Sequence, residues 1–188
     1  WNRFKIYIIS ITLLLIILVS VYQYLEISKY NEKVSTIENY YKASNNGSID
    51  EILDELETIK TSNEFSQNLI DLKMSDIHLV KGDIELGLKK LEQIFKSKNK
   101  SILGDLALYK YLMFKIDEVT LSEVNNLIEN FNSKENNFNY LFSELVGIKN
   151  IIDGQYLEGK IIFETLLNDP GVSNEIKIRA GKYINIIN

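Results

Sequence analysis

Residues 145–170, LVGIKNIIDGQYLEGKIIFETLLNDP, decide the fold. They predict two short amphipathic helices, because the polar residues 153–155 interrupt an apolar pattern that has the helical period. Gly159, Phe163 and Leu166 then recur on one face of the second helix. The stretch is therefore expected to form a helical hairpin with one apolar side.

The turn of this hairpin recurs along the chain. Four turn positions are separated by 35, 36 and 36 residues: Gly47, Gly82, Glu118 and Gly154. Nine residues after each of them stands an apolar residue: Leu56, Leu91, Leu127 and Phe163. The third copy departs from the pattern, because it has no turn glycine and carries Glu123 where the fourth copy has Gly159. A period near 35 residues indicates helical pairs in tandem.

The spacing of small and apolar residues in the last copy resembles the tetratricopeptide repeat: Leu145, Gly147, Gly154, Gly159, Phe163 and Leu166. The resemblance implies an all-α fold, a solenoid of about four helix pairs over residues 26–188. A last helix, from about Ser173 to Ile187, is expected to cap the final pair. Ser48 with Glu51, and Thr120 with Glu123, predict capping boxes at two helix starts.

The N-terminal part carries a long apolar run. From Ile6 to Leu25, twenty consecutive residues bear no charge, and as a helix they would measure about 30 Å, the thickness of a bilayer core. Residues 1–25 are therefore predicted to be an uncleaved single-pass anchor, favoured over a signal peptide because no small-residue exit follows the run. Flanking lysines and arginine leave its orientation open.

Composition excludes several functions. The net charge of −5 disfavours nucleic acid as a partner. The chain has no cysteine and only one histidine, His78, so thiol catalysis, histidine-based triads and zinc sites are not expected. His78 is predicted to be an ordinary helix residue, and the acidic residues 50–57 a solvated helix face rather than a calcium site. We expect no enzyme activity, no cofactor, no metal and no small-molecule substrate.

A protein-binding groove is the remaining candidate site. Superposing the copies places eight residues of the first helices on one side: Asp76, Leu79, Leu108, Leu112, Lys115, Glu144, Ile148 and Ile151. In tetratricopeptide-like folds that side holds peptides. The same apolar residues would also suit packing against the next helix, and both interpretations stay open.

The order of parts resembles the YfgM-like family, ancillary subunits of the bacterial Sec translocon: an N-terminal span, about four helix pairs with Gly147, Gly154 and Gly159 in the last, and a closing helix with Arg179 and Ala180. The resemblance implies a plasma-membrane (inner-membrane) protein with a periplasmic repeat domain. Its implied partners are the translocon, periplasmic chaperones or emerging polypeptides. The expected function is thus a membrane-anchored adaptor for protein export, and the alternative is a non-catalytic scaffold for an envelope complex.

Overall fold

The protein is helical in every part that can be described. The computed structural model describes residues 2–45, 47–98, 100–132 and 138–187, with side chains from residue 15 onward. Within these ranges there is no strand, and the helices are α1 Asn2–Asn45, α2 Ile49–Thr58, α3 Glu64–Lys81, α4 Ile84–Phe95, α5 Ile102–Lys115, α6 Leu121–Phe131, α7 Asn139–Ile152, α8 Tyr156–Asn168 and α9 Asn174–Ile187. The predicted all-α class is confirmed.

Two of the predicted turns share one backbone geometry. Gly82 and Gly154 have φ of 89° and 78°, a left-handed conformation that costs glycine little. After α3, the N–H of Asp83 donates to the carbonyl oxygen of His78 at 2.9 Å. After α7, the N–H of Gln155 donates to the carbonyl oxygen of Asn150 at 2.8 Å. These are Schellman motifs, which satisfy the last carbonyls of each helix and reverse the chain.

Both predicted capping boxes are present. The Ser48 and Thr120 hydroxyls accept from the backbone N–H of Glu51 and Glu123, whose carboxylates accept from the backbone N–H of the two capping residues. Each box satisfies two amide groups that have no partner inside the helix. The starts of α2 and α6 are therefore set by local sequence.

The chain forms two compact units, residues 1–70 and 71–188. In the first, the Glu32 carboxylate of α1 accepts hydrogen bonds from the Ser62 N–H at 2.7 Å and from the Ser62 and Thr61 hydroxyls at 2.8 and 3.2 Å. In the second, a buried cluster joins α8 and α9: Phe163, Leu166, Val172, Ile176 and Ala180. The domain boundary expected near residue 25 stays a prediction.

The predicted membrane anchor is corrected. Among the described residues no helix is both long enough and apolar enough to cross a membrane. α1 continues without a break beyond Leu25 into a segment that carries Glu26, Lys29 and Glu32. Residues 6–14 of the predicted span have no described side chains. The predicted single-pass plasma-membrane localisation is corrected with it.

The predicted solenoid of about four helix pairs is not confirmed. Helix packing is uneven, since α7 with α8, α8 with α9 and α4 with α5 form the extensive pairs, whereas α5 with α6 and α6 with α7 touch only slightly. A regular solenoid requires similar interfaces from one repeat to the next. The third copy has Tyr111 and Glu123 at the positions of Gly147 and Gly159, and side chains of this size do not permit the close helix approach that glycine permits.

Candidate functional site

Four charged residues on alternate helices form a row. Asp76 of α3, Lys110 of α5, Glu144 of α7 and Arg179 of α9 are separated by 34, 34 and 35 residues, about one hairpin each. They join in two ion pairs, Asp76 with Lys110 and Glu144 with Arg179. We call these four residues the charged row. Its signs alternate from helix to helix.

The Glu144–Arg179 pair is the more buried of the two. Arg179 Nε donates to Glu144 Oε1 and Nη2 donates to Oε2, both at 2.6 Å, so the guanidinium binds the carboxylate with two parallel hydrogen bonds. The Glu144 side chain is 4% exposed and that of Arg179 is 42% exposed. The hydrogen bonds to Glu144 raise the pKa of Arg179 above its ordinary value. The arginine therefore stays charged and fixed in direction.

Two tyrosines lie close to this pair. Burial raises the pKa of Tyr109 and of Tyr183 above the ordinary value, and the negative charge of Glu144 adds to the effect. The Tyr183 ring stacks on Phe163 with centroids 4.8 Å apart, and the Tyr109 ring lies 6.4 Å from that of Phe142. Both phenols therefore remain protonated at neutral pH, beside a charged pair and held by aromatic neighbours.

The Asp76–Lys110 pair is more open. Lys110 Nζ donates to the two carboxylate oxygens of Asp76 at 2.6 and 2.8 Å. The Asp76 side chain is 43% exposed and the Lys110 side chain is 29% exposed. Water therefore screens the attraction, and the pair adds little stability. The row thus has a buried carboxylate with a partly exposed cation at α7 and α9, and two partly exposed side chains at α3 and α5.

The eight predicted groove residues differ in their burial and in their contacts. Asp76 and Glu144 belong to the charged row, and Lys115 pairs with Glu118. Leu108 and Leu112 are completely buried and contribute only to packing. The other three are partly buried: Leu79 lies against Gly87, whereas Ile148 and Ile151 pack on the α8–α9 cluster. The groove as a whole stays a prediction.

A cavity adjoins the buried end of the row. It measures about 400 Å³ and is lined by Tyr140, Leu141, Gly171, Ser173, Glu175, Ile176 and Arg179. A hydrogen bond with Asp169 raises the pKa of Tyr140, whose ring forms part of the wall. Another cavity, of about 420 Å³ among α6, α7 and α8, contains no residue of the charged row. The α7–α9 cavity therefore combines apolar walls with a fixed cation.

The histidine and the acidic run do not join this site. His78 is buried in α3, with its Nδ1 3.5 Å from Asp83 Oδ2. In the acidic run, Glu51 serves the capping box of α2. Over the ranges that the structure describes, no group of three or more histidines, cysteines, aspartates or glutamates could hold a metal ion.

Sequence reasoning placed Asp76 and Glu144 at the site but missed Lys110, Arg179 and the two tyrosines. The signal was available for Lys110 and Arg179, because each follows an acidic residue by about one repeat length. Tyr109 and Tyr183 carry no such signal, since their neighbours come from helices that are distant in sequence.

The fold and the site together define an all-α chain of helical hairpins with ion pairs between alternate helices. Comparison with protein-family models, with curated proteins and with solved structures finds no match in any of the three. The resemblance to the YfgM-like family therefore stays a prediction.

Proposed function

We propose that this chain is a non-catalytic helical adaptor that binds a segment of a partner polypeptide at the α7–α9 cavity. The proposal rests on one observation: the guanidinium of Arg179 is held by Glu144 and also lines the cavity. Arginine has five N–H donors in a rigid fork, and Glu144 uses two of them. A fixed, partly exposed arginine is well suited to donate hydrogen bonds to carbonyl or carboxylate oxygens of a partner.

The walls of the cavity support the same class of partner. Leu141, Ile176 and the Tyr140 ring offer apolar surface next to Arg179. Tyrosine and arginine are the residue types most enriched among those that dominate the binding energy of protein interfaces. A volume near 400 Å³ accommodates one or two side chains of a peptide. The net charge of −5 supports a polypeptide partner over nucleic acid.

The partners implied by the family resemblance belong to this proposal: exported polypeptides, their chaperones or the translocon. A scaffold that joins fixed proteins would use the same cavity differently, because it would hold one partner permanently. The number of distinct proteins bound therefore separates the two functions.

The test places a photocrosslinking amino acid at Glu175, which is exposed and lines the cavity. The control places it at Glu164 of α8, which is equally exposed but does not line the cavity. Cells that produce either full-length chain are irradiated, and the attached proteins are identified by mass spectrometry. We expect adducts from position 175 and few from position 164. Many exported proteins among them would indicate an adaptor for export, and a single constant partner a scaffold.

Arg179→Lys sharpens the experiment, because lysine keeps the charge but loses the bidentate geometry. We expect this change to reduce the adducts from position 175 severalfold while helical content stays constant. Equal labelling from positions 175 and 164 would overturn the proposed cavity.

A further inference from the structure

The helix α1 has two faces of opposite character. One is covered within the molecule, where Thr36 and Ala43 are buried and Glu32 binds Ser62. Apolar residues lie on the opposite side, where they are 38–69% exposed. We call this side the α1 stripe: Ile27, Tyr30, Val34, Ile37 and Tyr41. The more apolar face of the helix is therefore the one that is not covered.

The spacing of the α1 stripe is that of a coiled-coil seam. Its members follow at intervals of 3, 4, 3 and 4, the a and d positions of two heptads. Ile27, Val34 and Tyr41 occupy a positions, and Tyr30 and Ile37 occupy d positions. A stripe that only packed on a globular core would usually be wider than this a and d seam. The narrow seam suits another single helix.

The charges that flank the stripe select the partner and its direction. Lys33 occupies a g position and Glu38 the following e position. In a parallel, in-register pair, Lys33 of one copy faces Glu38 of the other, twice per dimer. In an antiparallel pair centred on Val34, the two copies of Lys33 would lie close together and Glu38 would lie opposite Tyr30, so neither charge would meet one of opposite sign. The stripe is therefore complementary to its own copy in one orientation.

We propose that two copies of this chain associate in parallel and in register along the α1 stripe, as a short two-stranded coiled coil. The four tyrosines contributed by Tyr30 and Tyr41 of both copies would bury roughly 400–700 Å², about a third of the area that a typical specific interface buries. The exposed apolar residues 15–19 extend the same helix towards its N-terminus. The interface lies outside the α7–α9 cavity and is independent of the proposed function.

A single cysteine tests the geometry directly, because the chain has no cysteine of its own. A disulfide requires Cα atoms about 4.4–6.8 Å apart, a distance that facing a positions meet in a parallel dimer. We expect full-length Val34→Cys to form a disulfide-linked dimer under mild oxidation. Ser35→Cys, on an exposed neighbouring residue turned about 100° away from Val34, is the control and should remain largely monomeric on a non-reducing gel.

Charge reversal tests the partner. Glu38→Lys places two lysines opposite each other, and we expect about five- to tenfold weaker dimerisation by sedimentation at low salt. Adding Lys33→Glu should restore most of the affinity, since the swapped pairs are again opposite in sign. A full-length chain that sediments as a monomer at micromolar concentration, or equal crosslinking of the two cysteine variants, would overturn the proposal.

Discussion

The α7–α8 and α5–α6 hairpins occupy equivalent places in the chain but are built differently. In α7–α8, Gly147 and Gly159 let the helices approach closely, and a Cβ at Gly147 would lie 2.8 Å from Phe163 Cζ. The Phe163 ring is completely buried there. Glycine in these two helices costs helix stability, and close packing offsets that cost.

In the α5–α6 hairpin the equivalent residues serve other contacts. Tyr111 stacks edge-on against Phe95, with centroids 5.2 Å apart, and Glu123 caps its own helix through Thr120. Two hairpins with the same turn spacing can therefore be stabilised in different ways. One depends on contacts between its helices and the other on local hydrogen bonds and on its neighbours.

The largest loss of stability is expected from truncating the apolar residue that stands nine positions after a turn, Phe163 in α8 or Leu127 in α6. Phe163→Ala removes a fully buried ring and should lower the free energy of unfolding by about 3–5 kcal/mol. The equivalent change Leu127→Ala affects a half-buried residue and should cost about 1 kcal/mol. Urea denaturation measures both. Equal losses would show that the two hairpins are packed alike.

The two ion pairs extend the comparison beyond the hairpins. Arg179→Met leaves the buried Glu144 carboxylate without its partner and should cost about 2–3 kcal/mol, less than for a fully buried pair because water reaches the guanidinium. Lys110→Met breaks the solvated pair and should cost below about 1 kcal/mol. Thermal unfolding of both variants measures the two losses of stability. A larger loss in Lys110→Met than in Arg179→Met would contradict the conclusion that the Glu144–Arg179 pair is the more buried one.

Adding one methyl group tests the close approach at Gly147. Gly147→Ala forces the Phe163 ring to move, and this cost, reduced by the better helix propensity of alanine, should leave a net loss of about 1 kcal/mol. At Gly181 of α9, a Cβ would meet no atom within 4 Å. Gly181→Ala should therefore stabilise the protein by up to about 1 kcal/mol. The sign of the change in urea midpoint separates the two sites.

The smallest effect concerns the capping box of α6 and depends on pH. The hydrogen bond from the Thr120 N–H lowers the pKa of Glu123 in the folded protein. The ionised Glu123 carboxylate therefore stabilises the fold fully above the ordinary glutamate pKa. This contribution is lost as the pH falls through the lower pKa of the folded state. Glu123→Gln should thus reduce the urea midpoint slightly at pH 7, and the difference from wild type should shrink towards pH 3.

Glu158→Gln is the matched control for this pH dependence. Glu158 has the same position in α8, but the capping residue Gln155 makes no side-chain capping hydrogen bond there. An equal pH dependence in both variants would contradict a specific role for the capping box.

The local features could be read from the sequence, because neighbouring residues determine them. Gly82 and Gly154 mark the turns, and Ser48 and Thr120 mark helix starts, through backbone geometry and hydrogen bonds that span only a few positions. The anchor and the solenoid were wrong or unconfirmed for the opposite reason. The anchor depends on the apolar character of α1 over its whole length. The solenoid depends on how closely α5 and α6 pack where Tyr111 and Glu123 replace glycine.

The site was predictable only in part. Asp76 and Glu144 were found by superposing the repeats, but the apolar residues Leu108 and Leu112 turned out to lie inside the core. Repeat spacing gives the side of a helix, whereas burial depends on the neighbouring helices. The partnership of Glu144 with Arg179 crosses 35 residues, about one repeat length, so a search for opposite charges one repeat apart would have found it, whereas the degree of burial of the pair depends on the packing of α7 and α9.

The alternation of Asp76, Lys110, Glu144 and Arg179 has a consequence for anything charged that lies across these helices. Each carboxylate neutralises the cation two helices further along the chain, so the four side chains carry no net charge and attract a ligand of either sign only weakly at a distance.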